Sequence, residues 1–226
     1  EPKDAKPASL VLLAQSATGY ANLMKLSSSG FLHSAREDCV CADISWLEGA
    51  ADGLICLTGG FDGPVDRLLR AGRPDDAAAL VGRLAALFPG RLYAELQRHE
   101  GRASAEADLV EIAYERDLPI VATNEPFFAA RTDYEAHDAL LCIAEGAYVH
   151  QEDRRRVTPD HFFKSAAEMA ELFSDLPEAI GATLEIARRC AFRPKTRSPI
   201  LPRFVQGEAA AEARELERQA GEGLGE

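Results

Sequence analysis

Leu118-Pro119-Ile120-Val121-Ala122-Thr123-Asn124-Glu125-Pro126-Phe127-Phe128 is the stretch on which the reading of this chain turns. Its first half is apolar on both faces, the pattern of a strand buried between two layers, and its second half breaks into a polar turn and an aromatic pair. Such strands belong to parallel sheets covered by helices. At the mouth of a β/α barrel, a strand ending in Asn-Asp-x-His would deliver a carboxylate and an imidazole to a divalent metal. Here Glu125 brings a carboxylate, but Phe127 has no lone pair to give. The sequence reads as an enzyme scaffold with its chemistry removed.

The same alternation of strand and helix runs upstream. Leu10 to Ala14 is a short two-sided apolar run, followed by a helical pattern through Tyr20, Leu23, Met24 and Leu26. Ser16 or Thr18 offers the N-cap, and Ser27-Ser28-Ser29-Gly30 is expected to end that helix. Ile44 to Ala50 reads as a short helix, Gly53 to Thr58 as a second strand and Leu92 to Gln97 as a third. Helices are expected from Pro64 to Ala71, Pro74 to Leu87, Ser104 to Arg116 and Glu208 to Leu224. Asp75 and Asp76 suit the positive end of the second of these. The fold class is therefore α/β, with four β/α units and a parallel sheet. The chain starts without Met and launches straight into a strand, so it is expected to be a piece of a larger barrel.

Composition narrows the functional classes. With 226 residues, 46% apolar and 27% charged, the chain can bury one substantial core as a soluble domain with a tail. A net charge of −12 counts against a nucleic-acid groove, which needs clustered cations to neutralise phosphates. Arg154-Arg155-Arg156 is the densest basic run, and in this acidic setting it reads as a solvated loop. Five scattered cysteines favour a reducing, cytoplasmic setting, and Cys39-Val40-Cys41 is spaced too tightly for a zinc knuckle. No run approaches the roughly 18 apolar residues of a membrane span, and no signal segment opens the chain.

Six words in order carry a resemblance. They are Leu10 to Ala14 with Gly19-Tyr20-x-Asn22-Leu23-Met24, then Glu95-Leu96-Gln97, Val121-Ala122-Thr123-Asn124, Glu135 to Ile143, and Glu185-Ile186-Ala187-x-x-Cys190. In these the chain resembles the alpha subunits of bacterial replicative DNA polymerase III. The match is to the second half of their amino-terminal polymerase-and-histidinol-phosphatase (PHP) domain. The resemblance implies a partial, distorted, TIM-like β/α barrel over residues 1–192 that lacks about its first three strands. Residues 193–226, with Leu201-Pro202-x-Phe204 and a charged helix, would lead towards the polymerase palm.

It also implies where metal ligands would fall: a Cys before Phe61, then the Asp and His of the Thr-Asn-Asp-x-His word. Those positions are Gly60, Glu125 and Phe127, so at most one donor survives, and no metal, cofactor or catalytic residue is expected in this segment. Phe127 and Phe128 are read as an aromatic pair plugging the mouth. Glu95, Gln97 and His99 alternate at a strand end and could share a face towards a ligand, although two polar groups at a mouth are ordinary. His137 sits at a helix start, capped by Asp133 or Thr132, and reads as packing rather than catalysis. No nucleophile elbow, phosphate loop or H-E-x-x-H motif competes.

By resemblance, the intact protein would be a DNA-directed DNA polymerase using Mg2+ on palm carboxylates, contacting DNA through parts other than this acidic segment. The segment would serve as scaffold and docking site for the proofreading exonuclease subunit, alongside other replicase subunits. The alternatives are a stand-alone metal-dependent phosphoesterase of the PHP superfamily and the alpha-like subunit of error-prone repair synthesis.

Overall fold

Strand β2 (Leu54–Leu57) is buried along its whole length, and its alternation sorts the core into two layers. Leu54 and Cys56 face a large cluster with Val65, Val81, Leu84 and Phe88, whereas Ile55 and Leu57 face a smaller one with Tyr93, Val121 and Ile186. The computed structural model describes residues 7–34, 40–100, 105–198, 204–205 and 209–224. Around β2 lie β1 (Val11–Ala14), β3 (Leu92–Leu96) and β4 (Ile120–Ala122), in the order β1-β2-β3-β4. The four-stranded sheet is not closed into a barrel.

Helices α2 (Pro64–Arg70), α3 (Pro74–Leu87) and α4 (Glu106–Glu115) contribute to the large cluster, and α7 (Pro177–Arg189) covers the other face through Ala182 and Ile186. The remaining helices are α1 (Ala17–His33), α5 (Tyr134–Glu145), α6 (Ala166–Leu172) and α8 (Ala209–Gly223). The chain divides into two compact units, Glu1–Arg193 and Pro194–Glu226. In the second, Arg218 pairs with Glu215 and Glu222 along α8, and the Phe204 amide donates to Glu212 at 3.0 Å.

Two features correct the sequence reading. β2, β3 and β4 are parallel, but β1 runs antiparallel to β2, with Val11 opposite Leu57 and Ala14 opposite Leu54. Burial on both faces carries no information about direction. The long return after α1 brings the chain back to Gly53 beside the end of β1, where the Gln15 amide donates to the Gly53 carbonyl at 3.0 Å. The helix start is set as expected, by the Ser16 hydroxyl accepting from the Gly19 amide at 3.1 Å.

The second correction is that α1 continues through Ser27-Ser28-Ser29-Gly30 to His33. Gly30 is buried, and a Cβ there would come within 3.1 Å of Val40. Its smallness serves close packing rather than a stop. Smaller adjustments follow. Ile44–Leu47 is a single 3-10 turn, and α4 begins at Glu106, the expected start at Ser104 lying outside the described residues, as do Cys39 and Glu208.

Candidate functional site

The carboxyl ends of β2, β3 and β4 and the amino end of β1 meet around a cleft of about 430 Å³. Glu95, the fourth residue of β3, points into it yet is only 4% exposed. One carboxylate oxygen accepts from the Thr123 hydroxyl at 2.7 Å and the other from the Gly59 amide at 3.0 Å. Burial pushes its pKa above the ordinary carboxylate value; the two hydrogen bonds oppose that rise and the charge of Glu125 adds to it. Gln97 lies beside it, donating to the Thr123 hydroxyl at 3.2 Å and accepting from the Phe61 amide at 3.4 Å.

Gly60 is buried in a left-handed conformation, φ +53°, that disfavours any side chain. A Cβ there would overlap the Gln97 carboxamide. Glu125 points towards His161, with 3.9 Å between Oε2 and Nε2. Phe127 is not a buried plug: it is 39% exposed, its ring tilted against His137 at 5.7 Å and His161 at 5.6 Å. The plug reading fails because residues 127–128 pair with 161–163 in a short bridge that leaves Phe127 partly in solvent. Phe127 N donates to the His161 carbonyl, Phe163 N to that of Phe128, and the Asn124 amide to that of Phe162.

The structure thus brings Glu95 and Gln97 together with Thr123 but turns His99 aside. His99 stacks on His161, ring centroids 3.9 Å apart and planes 6° from parallel. His161 is fully buried, and its Nδ1 accepts from the Thr158 amide at 3.1 Å. Sequence reasoning did not find it, since Thr158-Pro159-Asp160-His161 reads as a plain turn and the partner His99 is distant in the chain. His137 packs against Phe127 and Phe128. Asp133 caps the 3-10 turn at Ala130 instead of α5.

The donors do not fit a divalent-metal site. Gly60 and Phe127 have nothing to coordinate with, and both Glu95 oxygens are engaged. Among the described residues no three His, Cys, Asp or Glu side chains converge in a way that could hold a metal ion.

Residues 1–99 match the PHP domain family model. The chain is 51% identical over 224 residues to DNA polymerase III subunit alpha of Caulobacter vibrioides, covering 97% of this chain and 19% of that protein. It is 36% identical over 219 residues to the Rickettsia bellii subunit, covering 96% and 19%, and 40% identical over 199 residues to that of Pseudomonas aeruginosa, covering 86% and 17%. The chain belongs to the PHP segment of the DNA polymerase III alpha-subunit family. It spans about a fifth of the length of these relatives.

Away from the cleft, the chain is held by paired arginines, two of them in the run that the sequence suggested was solvated. Arg154 is not solvated: both terminal nitrogens donate to the buried Asp138 at 2.6 Å, and one also reaches the Val149 carbonyl. Arg156 bonds the Val149 and Gln151 carbonyls, so the run straps its own loop onto α5. Arg98 joins the end of β3 to Glu106 of α4, to Asp175 and to the Leu172 carbonyl, lying 4.5 Å over the buried Phe173 ring. That pairing holds Asp175 down to about 2. No helix among the described residues is long and apolar enough to cross a membrane.

Proposed function

We propose that this PHP segment is catalytically silent and serves as structural support within a replicative DNA polymerase. The observation that carries the reading is the match over 97% of the chain to a DNA polymerase III alpha subunit. The intact protein would be a DNA-directed DNA polymerase of the cytoplasm, with Mg2+ on carboxylates that this segment does not include. The silent domain would buttress the polymerase and present a docking surface to the proofreading exonuclease subunit. Silence is supported by Gly60, which supplies no donor, and Phe127, which rests on two histidine rings.

A stand-alone phosphoesterase is disfavoured by the same two residues, and no geometry at the cleft favours the error-prone form over the replicative one. An antibody to this chain should detect a polypeptide several times its length on a denaturing gel of the source cell. The immunoprecipitate should extend a primer with Mg2+. A band close to this chain's own size, with stoichiometric Zn2+ or Mn2+, would overturn the reading. Silence is tested separately on the 226-residue chain: hydrolysis of a chromogenic phosphodiester that needs added metal and is abolished by Glu125→Ala would contradict it.

A further inference from the structure

The fold family implies metal donors at the strand ends, and the mouth has been rebuilt around something else. We propose that Gln97 is the lock of this mouth, its carboxamide filling the space that any side chain at position 60 would occupy. A Cβ on Gly60 would overlap the Gln97 carboxamide carbon and oxygen and lie 2.9 Å from the nitrogen. Those same atoms hold two neighbouring strand ends: the oxygen accepts from the Phe61 amide after β2, and the nitrogen donates to Thr123 after β4. Thr123 passes the connection on to Glu95, and Glu95 returns it to Gly59. The circuit thus runs from Phe61 through Gln97, Thr123 and Glu95 to Gly59.

A donor restored at position 60 therefore meets a defended position. It must swing the flexible end of Gln97 aside and give up its bonds to Phe61 and Thr123, in addition to adopting a left-handed backbone. This goes beyond silence as a lack of ligands, and it stands whether or not the polymerase reading holds, because the test reads packing and not activity.

The test is a double-mutant cycle on the 226-residue chain, followed by thermal unfolding. Gly60→Ala is made in three backgrounds: the natural sequence, Gln97→Ala and Gln97→Met. Backbone strain at position 60 is common to all three and cancels in the comparison. If Gln97 fills the space, the drop in Tm on Gly60→Ala is clearly smaller in the Gln97→Ala background than in the natural sequence. It persists with Gln97→Met, which keeps the bulk. Equal drops in all three backgrounds would overturn the proposal. Should Gly60→Ala alone fail to fold, the pair Gly60→Ala with Gln97→Ala must still fold; an unfolded pair would also overturn it.

Discussion

Glu95 is a carboxyl kept almost wholly from water, with both oxygens engaged by groups on the flanking strand ends. Because its folded pKa is raised, chiefly by burial, the native state holds the proton more firmly than the unfolded chain does. Its stabilising contribution is complete below the unfolded pKa and is lost as pH rises through the folded one. Glu95→Gln removes that titration. The stability of the natural chain relative to this variant should fall as pH rises above the ordinary glutamate range, about pH 4, measured by urea unfolding at each pH. A pH-independent difference would show that the carboxyl does not titrate there. At this scale the sequence was legible where residue type alone decides the chemistry: glycine and phenylalanine donate nothing wherever they are placed. It was not legible where the chemistry is a meeting, as with His99 on His161, because neither residue carries a mark of the other.

Elements were legible where a period or a cap defines them. Ser16 starts α1, and the two-sided apolar runs became strands. Direction and length escaped, because an apolar run has no polarity and Gly30 is small for a neighbour's sake. The close seat of α1 makes a testable pair. A Cβ at Gly19 would overlap the Gly53 carbonyl, a backbone atom that cannot swing aside, whereas Gly181 on α7 has open space around it. Gly19→Ala should destabilise by about 2 kcal/mol, in the range of overpacked sites. Gly181→Ala should stabilise by about 0.5 kcal/mol through helix propensity. Denaturant unfolding of the two variants checks both signs. On α5, Arg154→Ala leaves the buried carboxylate of Asp138 without its cation, while Arg155 contributes only a carbonyl contact to the strap. Arg154→Ala should therefore lower Tm and speed amide exchange across residues 146–156, with Arg155→Ala leaving both unchanged. The reverse order would mean that the strap is not held by this pair.

For the whole molecule, the order of the six sequence words carried the resemblance to the family, since it does not depend on knowing the fold. The boundary expected after residue 192 lies one residue from the division after Arg193, whereas the antiparallel seat of β1 in the sheet came only with the structure. The charge of −12 makes a prediction about the segment as a body. Fluorescence anisotropy with a generic duplex at physiological salt should give a Kd weaker than about 10⁻⁴ M, the loose end of non-specific binding. Micromolar affinity that collapses with added salt would show a cationic face that the net charge conceals.

The reversed strand β1 also has a practical use. By running against its neighbours it brings Ser9, exposed, to the same rim as the three strand ends, where its carbonyl crowds Gly59. A spectroscopic probe on Ser9→Cys would report on the cleft from its rim. The thiol of Cys56, pushed up to about 12 by burial, would stay dark to the label.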